Sequence, residues 1–197
     1  MDRPSTFKNM VLALVLICTV CAALLGGIYS LTEQKIAQTK AAKAKAAIAA
    51  VLPEFDNDPS DNAARVGAGE IYTATRDSVT IGYAVKVKTT GFGGAITMMV
   101  GFLPDGTIYD TDVIEHSETP GLGAKITDGQ CNPRVQVCGH NPSLSNLTVA
   151  KDGGDIDGIT ASTITSRAFL KGIASAYDVF AEFTGAQPHN TTEANER

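Results

Sequence analysis

The feature that most constrains this 197-residue chain is a long stretch near its start without a charged side chain. No Asp, Glu, Lys or Arg occurs in residues 9–32, and residues 10–31 are mostly Leu, Val, Ala, Ile, Cys and Gly. About 20 apolar residues in a helix cross the hydrocarbon core of a bilayer, whereas the core of a cleaved signal peptide has roughly 7–15. Neither Cys18 nor Cys21 follows the small residue expected before a lipid-modified cysteine. We therefore predict an uncleaved membrane anchor.

The segment after the anchor predicts a helical stalk. Residues 33–52 are rich in Ala and Lys, which are strong helix formers, and Pro53 ends the pattern. Small side chains recur along one side, so we expect that face to pack on the domain that follows. Residues 54–68 are rich in Asp and Asn and are expected to form an exposed loop. The predicted contact face comprises Ile36, Ala37, Lys40, Ala41, Ala44, Ala47 and Ile48.

The remainder predicts an α+β domain, with strands first and a helix last. Alternating β-branched and apolar residues indicate strands, and a 3.6-residue apolar period indicates the final helix, which ends at Gly185. Strands are predicted at 71–74, 79–87, 95–103, 107–115 and 144–150, and a helix from 163 or 165 to 183. The apolar face of that helix comprises Phe169, Ile173, Ala176, Tyr177 and Phe180.

These elements give the fold class α+β, with a single N-terminal transmembrane helix before one domain. We expect the polar C-terminal tail to be disordered. The predicted divisions are 1–32 for the N-terminal tail and anchor, 33–68 for the stalk and loop, 69–185 for the domain, and 186–197 for the polar tail.

Charge and metal-ligand patterns exclude several functions. The formal net charge is −5 and no segment is a basic patch, so we expect no nucleic-acid partner. His116, His140 and His189 lack metal-ligand spacing, so we expect no metal site.

Four cysteines leave two questions open. Cys131 and Cys138 flank a polar segment and either form a disulfide or remain free. Cys18 and Cys21 share a face of the anchor helix. We interpret them as small apolar filler, with contact to an iron–sulfur centre in a partner as the alternative.

Two segments, about 35 residues apart, have a composition suited to a ligand site. In residues 116–125, Pro120 stiffens a loop, and Gly121 and Gly123 let the backbone approach a flat or bulky ligand. The second segment, 157–163, lies at the start of the final helix, where free backbone N–H groups favour an anion such as phosphate. Alone, this second segment is better interpreted as an ordinary capped helix start.

Together, and behind an N-terminal anchor, these motifs resemble the FMN-binding domain shared by two membrane proteins. These are the G subunit of the Rnf ferredoxin:NAD oxidoreductase and the C subunit of the sodium-pumping NADH:quinone reductase. In that family the second segment is Asp-x-x-Ser/Thr-Gly-Ala-Thr, matched here by Asp157, Thr160 and Thr163. The chain departs from it at Ala161 and Ser162, and Ser162 adds a second hydroxyl beside Thr163.

The resemblance implies that Thr163 carries FMN through a phosphoester and that no residue of the chain is itself catalytic. It implies that a separate flavin transferase attaches the FMN and recognises Asp157 and Thr160. The resemblance also implies that Thr160, Ser162 and Thr165 contact the phosphate, and that Lys125 contacts the phosphate or a reduced, anionic flavin. Glu118 and Thr119 are expected at the polar edge of the ring. Gly121, Leu122 and Gly123 are the expected contacts in the loop.

The resemblance also implies an electron-transfer protein that works with the other membrane and peripheral subunits of an Rnf-type, ion-translocating complex in the bacterial inner membrane. The alternatives are the C subunit of the sodium-pumping reductase, a stand-alone extracytoplasmic flavoprotein reductase, or a structural protein of the complex without flavin. Lysines after the anchor favour a cytoplasmic domain by the positive-inside rule. The family places this domain on the extracytoplasmic side, and we follow the family.

Overall fold

A computed structural model describes residues 7–187, which divide into two compact units with the boundary between Lys43 and Ala44. Helix α1, Phe7–Val51, contributes to both units. Its N-terminal part is exposed, and among the described residues it is the one helix long and apolar enough to cross a membrane. It therefore fits a single-pass anchor. The polar tail 188–197 and His189 lie outside the described residues.

Helix α1 ends at Val51, just before Pro53, as the sequence predicts. Its buried residues are Ala47, Ile48 and Val51. Of the predicted contact face, Ala47 and Ile48 are buried, whereas Ile36 and the other positions before residue 44 are exposed. The sheet face covered by the last turns of α1 is small: its buried members are Tyr72, Ala74, Ala84 and Met99.

The second unit contains a five-stranded antiparallel sheet in which each strand pairs with the next along the chain. Its first strand lies in the segment predicted as loop 54–68, which also forms a 3-10 turn at Pro59–Asn62. The strands are β1 Ala64–Val66, β2 Gly69–Arg76, β3 Val79–Thr90, β4 Ala95–Phe102 and β5 Ile108–His116. The helices of this unit are α2 Asn132–Val137 and α3 Thr163–Thr184.

The two faces of the sheet bury different residues, because side chains alternate along each strand. On β4, Met98 and Val100 belong to the core that includes α3, whereas Met99 belongs to the core with the end of α1. A Cβ at Gly101 would overlap the carbonyl oxygen of Val51, so glycine is needed where the end of α1 meets the sheet. The predicted apolar face of α3 is fully buried, and α3 ends at Gly185 in the left-handed conformation.

The strand predicted at 144–150 is absent. This segment forms turns, an isolated bridge between Val149 and Ile156, and a 3-10 turn at Ala150–Asp152. Leu147 and Val149 pack singly into the core beside α3, which accounts for their alternation without a strand. Residues 139 and 140 are hydrogen-bonded to Ile108 at the start of β5.

Cys131 and Cys138 are free and flank the short helix α2, which the sequence did not predict. A helical rise of 1.5 Å per residue separates their Cα atoms by about 10 Å, beyond the reach of a disulfide. Burial raises the pKa of both thiols, that of Cys138 to about 11. Both are therefore protonated and unreactive at neutral pH.

Candidate functional site

The two motif segments meet at the side chain of Glu118, in the loop after β5. This carboxylate is 5 % exposed. Its Oε2 accepts a hydrogen bond from Thr165 Oγ1 at 2.7 Å, and its Oε1 accepts one from the backbone N–H of Gly93 at 3.1 Å. Ser162 Oγ donates to Thr165 Oγ1 at 2.9 Å. We call Glu118, Ser162 and Thr165 the Glu118 cluster; it joins segments 47 residues apart.

Glycines make room for this cluster. A Cβ at Gly91 or Gly123 would overlap the Glu118 carboxylate, and one at Gly123 would also lie 2.7 Å from Thr165 Oγ1. Gly123 is buried, so in this structure its lack of a side chain accommodates Glu118. Gly121 differs: its φ is +77°, and a Cβ there would meet nothing within 4 Å.

Thr163 is the first residue of α3 and is half-buried. Its Oγ1 accepts a long hydrogen bond of 3.4 Å from Lys151 Nζ. The neighbouring Ser162 is 9 % exposed, and its hydroxyl hydrogen is directed to Thr165. Of the two adjacent hydroxyls, that of Thr163 is therefore the more accessible to a modifying enzyme.

A tight turn precedes α3. The N–H of Ser162 donates to the carbonyl of Ile159 at 2.9 Å, and Ala161 has a φ of +61°. Alanine in this left-handed region costs roughly 1 kcal/mol, which glycine would avoid. Ala161 stands where the motif usually has glycine, so the bend survives the replacement with some strain.

The start of α3 is held by a hydroxyl within the helix. Ser162, the residue before the helix, makes no side-chain capping bond. Ser166 Oγ instead accepts from the N–H of Ile159 at 2.8 Å and donates to the carbonyl of Ser162 at 3.1 Å. Thr165, expected near the phosphate, is fully buried in the Glu118 cluster, while Thr160 is exposed.

The other predicted site residues lie at the surface. Asp157 is exposed and exchanges two hydrogen bonds with Gln136, through its carboxylate at 3.0 Å and its backbone N–H at 2.6 Å. The carbonyl of Thr119 accepts from the N–H groups of Leu122 and Ala124, each at 3.2 Å. Lys125 is exposed on the 3-10 turn Gly123–Thr127, and Thr119, Gly121 and Leu122 are exposed in the loop before it.

Several residues near the site could not be identified from the sequence. Lys151 contacts Thr163 from a position twelve residues earlier, and no spacing rule indicates that contact. Phe92 is 69 % exposed in the glycine turn whose Gly93 binds Glu118, and Ile164 is 51 % exposed beside Thr163. Within residues 7–187, no group of three or more His, Cys, Asp or Glu side chains is arranged to hold a metal ion.

The residues present fit a phosphate-linked flavin. A lysine ammonium faces an accessible hydroxyl, which suits an anionic ester at that oxygen. Exposed apolar side chains, Phe92, Leu122 and Ile164, flank the segments joined through Glu118 and suit a flat aromatic ring.

Comparisons with known proteins match the part of the chain that contains these segments. Residues 91–178 match the FMN-binding domain family. The G subunit of the ion-translocating oxidoreductase complex of Stutzerimonas stutzeri is 32% identical over 197 residues, covering 95% of this chain and 86% of that protein. The corresponding G subunit of Pasteurella multocida is 36% identical over 172 residues, covering 80% and 85%.

Two further matches extend the comparison. The G subunit of the proton-translocating ferredoxin:NAD(+) oxidoreductase complex of Clostridium ljungdahlii is 29% identical over 192 residues, covering 94% of this chain and 97% of that protein. The crystal structure of the C subunit of the Na(+)-translocating NADH-quinone reductase from Parabacteroides distasonis shares the fold, with a TM-score of 0.50 and 23% identity. That match covers 60% of this chain and 64% of the other.

Proposed function

Because this chain belongs to the family of G subunits of ion-translocating oxidoreductase complexes, we propose that it is a membrane-anchored electron carrier whose FMN is covalently attached to Thr163. The complex is of the Rnf type and couples ferredoxin and NAD redox chemistry to ion transport. The bound flavin supplies the redox chemistry, since it takes up and releases electrons. The chain supplies the attachment point, the surroundings of the ring and the anchor.

The contrast between two neighbouring hydroxyls is the observation that supports attachment at Thr163. Ser162 is buried and donates to Thr165, whereas Thr163 is half-buried with Lys151 at its oxygen. A transferase must reach the hydroxyl that it modifies. Asp157 and Thr160 are exposed, as residues recognised by such an enzyme need to be.

The remaining motif residues divide into support and contact. Glu118 and Thr165 hold the loop after β5 against the start of α3. Thr119, Gly121, Leu122 and Lys125 are exposed in or directly after that loop and are available to a ring carried on Thr163. The apolar side chains of Phe92, Leu122 and Ile164 exclude water from one face of the ring.

In-gel fluorescence tests covalent attachment directly. The full chain, co-expressed with a flavin transferase and purified from membranes, is denatured and run on a gel. We expect a fluorescent band for the wild type and for Ser162→Ala, and a dark band for Thr163→Ala. A dark wild-type band, with the transferase active on another substrate, would contradict the proposal.

We further propose that α1 anchors the domain on the extracytoplasmic side of the inner membrane. The apolar part of α1 has the length for one crossing. Addition of protease to spheroplasts tests on which side of the membrane the domain lies. Digestion of the domain in intact spheroplasts is the expected result, and protection until lysis would place the domain in the cytoplasm.

A further inference from the structure

The segment that contains Thr163 has more acidic than basic side chains. Residues 148–167 contain Asp152, Asp155 and Asp157 but only two cations, Lys151 and Arg167. An ester phosphate on Thr163 would add a further negative charge here. Like charges repel one another, so a nearby cation would favour the ester.

Arg167 is already paired with Asp152. Its Nε and Nη2 each donate to the carboxylate of Asp152 at 2.7 Å, in a two-point ion pair. The ammonium of Lys151 lies instead on the neutral hydroxyl of Thr163, at 3.4 Å. A long hydrogen bond from an exposed lysine to a neutral hydroxyl is weak, whereas an ester at that oxygen would make the contact charge-assisted.

The backbone that carries Lys151 is held in place. Lys151 lies in the 3-10 turn Ala150–Asp152, which ends at Gly153 with a φ of +84°. The N–H of Ala150 donates to the carbonyl of Ile156 at 2.8 Å. The Asp152–Arg167 pair then ties this turn to α3 one helical turn beyond Thr163. Lys151 and Thr163 are thus set against each other before any flavin is attached.

We infer that Lys151 is the positioning residue that pairs with the phosphate linking the flavin to Thr163, and that the Asp152–Arg167 pair holds it there. This inference rests on the proposed attachment to Thr163. It gives the phosphate a partner other than Lys125, to which the sequence assigned that contact.

A thermodynamic cycle on the full chain measures the pairing of Lys151 with the phosphate separately from recognition of the chain by the transferase. Lys151→Gln, Lys151→Arg and the control Lys171→Gln, at an exposed lysine further along α3, are each prepared with and without covalent flavin. Co-expression is continued until loading is complete. The measured quantity is the rise in Tm on loading, at about 50 mM and about 500 mM salt.

At low salt we expect the rise for Lys151→Gln to be smaller than the wild-type rise by about 2–4 °C. Lys151→Arg and the Lys171→Gln control should keep the wild-type rise, and at high salt the deficit of Lys151→Gln should shrink. The flavin-free forms of all variants should melt together. A structural role for Lys151 would instead lower the Tm of the flavin-free form.

An undiminished rise in Lys151→Gln would overturn the inference. The inference would also be overturned if Lys151→Gln acquired no flavin although its flavin-free form had the wild-type Tm. Lys151 would then be needed for recognition by the transferase. A wild-type chain that acquires no flavin on Thr163 would instead refute the proposed attachment itself. The two failures are therefore distinguishable.

Discussion

The Glu118 cluster and the surface around Thr163 contain similar chemical groups in opposite surroundings. Ser162 and Thr165 have buried hydroxyls, of which that of Ser162 donates to Thr165 and that of Thr165 donates to Glu118. Thr163 has the same kind of hydroxyl, but it is half-buried beside an exposed lysine side chain. Burial thus separates two hydroxyls bonded inside the domain from the one to which we propose that the flavin is attached. Substitutions in the two regions should therefore affect different measurements.

Replacement of Glu118 should have the largest effect on stability. Glu118→Ala leaves the buried Thr165 hydroxyl without its acceptor and also removes the acceptor of the exposed Gly93 N–H. We expect a loss of about 3 kcal/mol in the free energy of unfolding. Thr163→Ala should change this free energy by about 0.5 kcal/mol or less. Urea unfolding of the flavin-free chain measures both, and equal losses would remove the distinction between the regions.

The loop glycines provide a matched pair. Gly123→Ala introduces a Cβ against Glu118 and Thr165, and overpacking of this kind costs roughly 2 kcal/mol. Gly121→Ala meets no neighbour, so its cost is confined to the left-handed backbone, roughly 1 kcal/mol. Thermal unfolding of the two variants compares them. A more damaging Gly121→Ala would show that the exposed part of the loop, rather than the buried part, determines stability.

Glu70 is a second carboxylate, but it is paired with charged side chains. Its contribution to stability should therefore depend on pH and salt in a way that the contribution of the Glu118 cluster does not. Hydrogen bonds from Lys86, and then from Arg65, lower the pKa of Glu70 to about 2. The lowered pKa means that its contribution is present above its ordinary value of 4.5 and is lost as the pH falls toward 2. After screening we expect about 1 kcal/mol.

Unfolding at pH 7 and pH 3 tests this contribution. The difference between wild type and Glu70→Gln should shrink at the lower pH, since at pH 3 the Glu70 carboxyl is protonated in the unfolded chain but still largely ionised in the folded one. Salt should reduce the contribution of Glu70 at pH 7 but leave the cost of Glu118→Ala nearly unchanged. A salt-insensitive Glu70 would contradict the ion-pair explanation.

Restoration of the glycine of the motif should have the smallest effect. Ala161→Gly relieves the strain of a φ of +61°, but it also increases the freedom of the unfolded chain. We expect a net gain of about 0.5 kcal/mol. Thermal unfolding with Ala124→Gly as a control, a half-buried alanine in a 3-10 turn without a positive φ, measures this gain. A net loss would show that the turn before α3 tolerates alanine without strain.

Much of the domain could be predicted because its elements are encoded locally. The apolar period of α3 and the glycine after it determine that helix without reference to the rest of the chain. The alternation at Leu147 and Val149 was misleading, because single side chains can enter a core from irregular backbone. Helix α2 was missed because six residues give too few turns to establish a period.

The motifs located the site, but roles within it depend on contacts distant in sequence. The motif assigns the acceptor position to Thr163, but the burial of the neighbouring Ser162 hydroxyl depends on Thr165 and Glu118. The same is true of Lys151, whose contact with Thr163 lies beside the Asp152–Arg167 pair and has no signal in the local sequence. The sequence could name the candidate residues but not divide them between support and reaction.

The most direct test of the attachment site is fragmentation mass spectrometry of the tryptic peptide that contains Ser162 and Thr163. We predict that the mass of FMN, less water, lies on Thr163, stays there in Ser162→Ala, and is absent from Thr163→Ala. A flavin on Ser162 in the wild-type chain, or retained in Thr163→Ala, would contradict the assignment of the buried hydroxyl to structure and the accessible one to attachment.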